Sequence, residues 1–148
     1  MKILRSLAPL ALCFAGAASH AAGDRPNIIV MVADDLGWND VGYHDGPIDT
    51  PSLDRMAAEG MQLHRFYTTP ICSPTRAALM TGRDPIRMGL AYATIMPRMN
   101  NGIHPDERFL PEAFRDAGYQ TAMVCKWHLG HSQQNYHTNI RGFEHYYG

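Results

Sequence analysis

Positive charge is nowhere concentrated in this chain. Its 148 residues carry 13 Lys and Arg against 14 Asp and Glu, a formal net charge of −1. That balance removes the electrostatic case for nucleic acid or an acidic membrane surface as partner. Any anion has to be met by a local site. Apolar runs are short as well: only residues 7–18 form one of note, below the roughly 20 residues that a bilayer-spanning helix needs. No internal repeat and no low-complexity segment is present. With 45% hydrophobic and 18% charged residues the composition is that of a globular protein, and the length suits one domain. Cysteine occurs only at positions 13, 72 and 125.

Residues 1–21 read as an export signal. Lys2 and Arg5 give a positive start, residues 7–18 an apolar centre, and Ser19 and Ala21 the small residues before a cleavage point after Ala21. Leu12 is too large to precede a lipoprotein cysteine at Cys13. The expected destination is the periplasm or the medium, with residues 22–148 as the mature portion. Cys72 and Cys125 then remain, and two cysteines in an exported chain invite a disulfide. Pairing would consume any nucleophile at Cys72, so the two readings exclude each other. Cys125 by itself reads as a small buried thiol.

Along the mature chain, residues 27–33 form a continuous β-branched run, expected as a strand buried on both faces of a parallel sheet. Thr50-Pro51 opens a helix that runs to Gly60, and residues 61–67 alternate as a second strand with Leu63 and Phe66 directed at the core. Residues 84–109, broken by Pro, Gly and Asn, read as a long surface loop. Residues 110–117 form a helix stopped by Gly118, and residues 119–124 the next strand. Strand and helix in alternation imply βαβ units and an α/β fold.

Three constellations carry chemistry. Asp34 and Asp35 follow the first strand, where open α/β sheets hold their ligands. Asp pairs are common turn residues, yet two hard oxygen donors also suit part of a Ca²⁺ or Mg²⁺ shell. Cys72, Pro74 and Arg76 form a C-x-P-x-R pattern at a helix start. Ser73 is expected as N-cap, Pro74 as first helical residue and Gly82 as the stop. Cys72 thus lies at a helix N-terminus, which favours anions, with the Arg76 guanidinium one turn on. Finally, Lys126 and His128 share one face of an extended stretch at a strand end, offering a point charge and a proton carrier. A solvated strand edge accounts for that pair equally well.

The stretch from Cys72 to Arg83, ending Met80-Thr81-Gly82-Arg83, resembles the signature of the type I sulfatases. Cys125-Lys126-Trp127-His128-Leu129-Gly130 is similar to that family's Gly-Lys-Trp-His-Leu-Gly, with Cys125 in place of Gly. Asp34-Asp35 and Arg141-Gly142-Phe143-Glu144 resemble further landmarks in family order, and the likeness covers residues 25–148. Val41-Gly42-Tyr43-His44, Pro70-Ile71-Cys72 and Met123-Val124 resemble the arylsulfatase B-like group most.

The resemblance implies the N-terminal part of an alkaline-phosphatase-like α/β/α sandwich with a mostly parallel sheet. It implies hydrolysis of aryl or sugar sulfate esters by a formylglycine made from Cys72 by a formylglycine-generating enzyme. Its hydrated form would attack sulfur and then expel sulfate. Asp34 and Asp35, with the modified residue 72, would hold one Ca²⁺ whose other ligands lie outside these residues. Arg76 and Lys126 would stabilise charge, and His128 would accept the diol proton. These residues in isolation are then expected neither to turn over substrate nor to fold stably. Two other functions stand beside this one. The first is a phosphomonoester or phosphonate hydrolase of the same superfamily. The second is a non-enzymatic binding module in which Cys72 stays a thiol, free or bridged to Cys125.

Overall fold

The computed structural model describes residues 25–148, so the expected export signal and Cys13 lie outside the described residues. Contacts divide the chain into residues 1–33 and 34–148. In the first unit, residues 25–33 are exposed and in no strand. That corrects the expected buried strand. A β-branched run gains its sheet conformation from ladder partners on both sides, and among the described residues the only sheet has two strands elsewhere.

The second unit is α/β. Helix α1 spans Pro51–Glu59, α2 Cys72–Thr81 and α3 Leu110–Asp116. Strand β1 (Ala122–Val124) and strand β2 (His145–Tyr147) pair in parallel, Ala122 opposite His145 and Val124 opposite Tyr147. The observed β1 is shorter than the expected 119–124. Thr121 is instead fixed by side-chain bonds: its hydroxyl donates to Gly142 O at 2.6 Å and its N–H to Glu144 Oε2 at 3.0 Å. The expected strand over residues 61–67 is absent. Phe66 N–H closes a turn onto Leu63 O at 3.2 Å, and Leu63 and Phe66 are exposed. Helix α1 has the expected limits but no buried residue. It is anchored by Asp54, which accepts from Tyr43 N–H and from the Thr50 hydroxyl.

The core lies between α2, α3, β1 and two irregular segments. Ala77, Leu90, Ile95, Ile103, Phe109, Trp127, Leu129 and Phe143 form one buried cluster. Leu90, Ile95 and Ile103 come from the stretch expected to be a surface loop. Its Pro and Gly residues break any regular period, but irregular backbone still buries the apolar side chains between them. Asp84 starts a 3₁₀ turn there, accepting from Ile86 N–H at 2.9 Å. The Trp127 ring packs against Phe109 and Phe143, and its N–H donates to Tyr136 O at 2.8 Å. Arg141 lies over the Phe109 face, 4.0 Å from the ring centre, and donates to Pro105 O and Glu107 O. Among the described residues no helix is long and apolar enough to cross a membrane.

Candidate active site

Helix α2 sets the site. Ile71, extended at φ −143°, precedes the helix, no side chain caps it, and Cys72 is its first residue. The expected Ser73 cap is therefore corrected. The Ser73 hydroxyl is used elsewhere: it donates to His128 O at 2.8 Å and accepts from Ile95 N–H at 3.0 Å. Pro74 falls in the first turn rather than at its first position. Its missing N–H costs nothing there, because the ladder begins with Thr75 N–H to Ile71 O at 3.1 Å. Gly82 ends the helix at φ +67°, as expected, with its N–H on Ala78 O.

The segment following β1 carries the second group of residues. Trp127 and Leu129 are buried in the core, so Lys126 and His128 turn away from it. Their placement does not come from an extended stretch, because His128 is left-handed at φ +61°. Gly130, at φ +127°, runs close to the 102 and 136 positions. A Cβ there would lie 2.8 Å from Gly102 Cα and from Tyr136 Cβ, so the position demands glycine. Cys125 also has a glycine-like backbone, φ +144°, and its side chain is exposed rather than buried as expected. This is where the resembling motif has Gly. Strain of this kind costs on the order of 1–3 kcal/mol, partly offset by the greater unfolded-state freedom of Gly. Cys125→Gly in the complete protein is therefore expected to raise stability by about 1 kcal/mol, read from the urea midpoint at unchanged slope.

Cys72 and His128 meet directly, Sγ to Nδ1 at 3.1 Å. Arg76, 5% exposed, donates through Nη1 to Lys126 O at 2.6 Å and through Nη2 to Asp34 Oδ2 at 3.1 Å. Lys126 Nζ reaches the same Asp34 oxygen at 2.9 Å. The bonds from Lys126 and Arg76 hold the Asp34 carboxyl below its usual range. Lys126 is in turn held above the ordinary lysine value, first by Asp34 and also by the neighbouring Cys72. Desolvation lowers the His128 value, and the positive charge of Lys126 lowers it further. His128 is thus neutral over a wider pH range than a free imidazole. Cys72, Arg76, Lys126, His128 and Asp34 form one contiguous network. Asp35 stands outside it, exposed and without a side-chain partner among the described residues.

Neither thiol is in a disulfide. The surroundings of Cys72 fit a hydrated aldehyde, whose hydroxyls need the hydrogen-bonding groups that His128 and Lys126 offer. For a divalent cation, Asp34 and Asp35 supply hard oxygens of the right chemistry. Among the described residues Asp34 Oδ1 has no hydrogen-bond partner and neither has the Asp35 side chain. They are part of a shell only, since Ca²⁺ takes about 6–8 oxygens. Among the described residues no group of three or more His, Cys, Asp or Glu side chains gathers to hold a metal. Ser73 was not identifiable as a site residue from the sequence. Its partners are 55 and 22 residues away, and no local pattern marks them.

A thiol on the first turn of a helix is thus paired to an imidazole and flanked by a guanidinium, an ammonium and a carboxylate on an α/β frame. The chain belongs to the sulfatase family, whose model matches residues 26–148. Mouse arylsulfatase J is 41% identical over 131 residues, which is 88% of this chain and 22% of that protein. Dog N-acetylgalactosamine-6-sulfatase is 45% identical over 149 residues, 94% and 28% respectively. Mouse arylsulfatase G is 44% identical over 126 residues, 84% and 24%. The chain therefore spans about a quarter of the length of these relatives. The crystal structure of Ps i-CgsB superposes with a TM-score of 0.70 at 36% identity, covering 83% of this chain and 28% of that one. The α/β arrangement is that of the alkaline-phosphatase-like fold of the sulfatases.

Proposed function

We propose that these residues form the nucleophile-bearing part of an exported sulfuric ester hydrolase acting on aryl or sugar sulfate esters. The observation that carries the reading is the contact of Cys72 Sγ with His128 Nδ1, set beside Arg76, Lys126 and Asp34. Family membership gives it a substrate class. The relatives named N-acetylgalactosamine-6-sulfatase, and the complex of Ps i-CgsB with k-i-k-neocarrahexaose, support sugar esters beside aryl ones.

Oxidised by a formylglycine-generating enzyme, residue 72 would supply a hydrated aldehyde, one hydroxyl serving as nucleophile and the other driving sulfate release. Asp34 and Asp35 would hold Ca²⁺, which supplies positive charge to the sulfate oxygens, with further ligands from outside residues 1–148. Lys126 and Arg76 bring two positive charges to the anionic ester, fixed in place before the ester arrives. Their shared carboxylate keeps both in position. His128, neutral at rest, takes the proton from the hydroxyl at residue 72.

Turnover of aryl sulfate, a sulfated sugar and aryl phosphate by the complete protein tests the assignment. Sulfate esters are expected to be cleaved and phosphate to be poor. Preference for phosphate would overturn the proposal. A base works only when unprotonated, so kcat/KM, which follows the groups of the free protein, is expected to fall on the acid side. Because the His128 value is lowered, that fall begins below the ordinary imidazole range near pH 6.5. His128→Ala is expected to lower kcat by roughly 10²–10³-fold and to remove this acid limb, as measured by pH–rate profiles of both proteins.

A further inference from the structure

Two side chains of α2 hold the segment that bears Lys126 and His128 by its backbone. Arg76 Nη1 donates to Lys126 O at 2.6 Å, and the Ser73 hydroxyl donates to His128 O at 2.8 Å. Ser73 is fully buried, at 0% exposure. Its oxygen also accepts from Ile95 N–H at 3.0 Å, so donor and acceptor directions are both used and its rotamer is fixed. The carbonyl it holds belongs to a residue at φ +61°, a conformation that non-glycine residues keep only where their surroundings impose it. The imidazole of that same residue lies 3.1 Å from the side chain of Cys72, the immediate neighbour of Ser73.

We infer that Ser73 is a positioning residue: by clamping the His128 carbonyl to the first turn of α2 and to Ile95, it sets the distance between the imidazole and residue 72. Adjacent residues of one helix turn thus grip His128 at both ends, Ser73 at the carbonyl and Cys72 at the ring. The helix carries nucleophile and base as one unit. The link to Ile95 ties the 84–109 stretch, through its buried core residue, to the same unit. Losing the clamp releases a strained backbone, and an imidazole displaced by about 1 Å no longer meets the hydroxyl it must deprotonate. A misplacement of that size costs on the order of 10²-fold in rate. Substrate binding, which falls to the charged groups, is left intact.

The inference rests on the reading of residue 72 and His128 as reacting groups, and two measurements on the complete protein separate the two claims. The first is kinetic. Ser73→Ala is expected to lower kcat per converted residue 72 by roughly 10–100-fold with KM within about two-fold. In a His128→Ala background the same change is expected to cost less than about two-fold, because no imidazole is left to misplace. Ser73→Thr, which restores the hydroxyl, is expected to recover most of the loss. Equal losses in both backgrounds, or a rise in KM alone, would overturn the role. The second is a crystal structure of Ser73→Ala. The separation of Nδ1 from the residue 72 side chain is expected to exceed hydrogen-bond range, and an unchanged contact would contradict the inference. This distance is decisive even if the unsubstituted protein cleaves no sulfate ester, an outcome that would defeat only the proposed function. If Ser73→Ala fails to fold, Ser73→Cys, a weaker donor of similar size, takes its place in both.

Discussion

Cys72→Ala in the complete protein is expected to lower sulfate ester turnover by roughly 10⁴-fold or more while leaving the fold in place. The expectation follows from the geometry of α2. Cys72 is the first residue of the helix, half-buried, and its side chain meets His128 Nδ1 with Lys126 beside it. Truncation to Ala opens little space and leaves the helix start unchanged, because the cap residue is Ile71 and no side chain serves it. Activity and stability should therefore separate. Turnover of an aryl sulfate falls by the full factor, while the melting temperature shifts by no more than a few degrees. Cys72→Ser is expected to be nearly as poor, since one hydroxyl does not provide both the attacking and the releasing group.

Arg76→Ala is expected to damage activity and stability together. The guanidinium is buried and binds the Lys126 carbonyl and the Asp34 carboxylate at once. Removing it leaves the Lys126 carbonyl without this donor, and Asp34 with Lys126 alone. Breaking a fully buried charged pair costs about 3–5 kcal/mol. The Asp34 carboxylate is open to solvent, which screens that pair, so the expected loss, about 2 kcal/mol, comes from the bond of the charged donor to the Lys126 carbonyl. In kcat/KM the loss is expected at roughly 10²–10³-fold, for the missing positive charge and for the freed backbone at Lys126. Arg76→Lys keeps the charge but not the fork, so it cannot reach both acceptors and should recover little. A urea titration and steady-state kinetics on the three proteins check both effects. Full recovery by Lys would show that charge alone matters.

What the sequence made legible follows how local each determinant is. The limits of α1, α2 and α3 came within a residue or two, because Pro near the start and Gly beyond the end act within one turn. Strands were read poorly. Residues 27–33 and 61–67 have the right residue types, but a strand exists only beside a partner, and partnering is not written in the segment itself. β2 was missed for the same reason, since residues 145–147 pair with β1 across a long crossover. Resemblance to motifs singled out Cys72, Arg76, Lys126, His128 and Asp34, and the structure brings these five together. Asp35, singled out with them, remains apart from the network. Ser73 departs from the expected cap because its two partners come from distant segments. Cys125 departs from the expected burial because burial and backbone conformation depend on the turn after β1, not on the residue type.

The account depends above all on the chemical state of residue 72, and the peptide that contains it can be weighed directly. Mass spectrometry of that peptide, from the complete protein exported by a host with the converting enzyme, is expected to show an aldehyde. The side chain will have exchanged sulfur for oxygen and lost two hydrogens. A peptide carrying only the free thiol, or one disulfide-linked to the peptide of Cys125, would contradict the account.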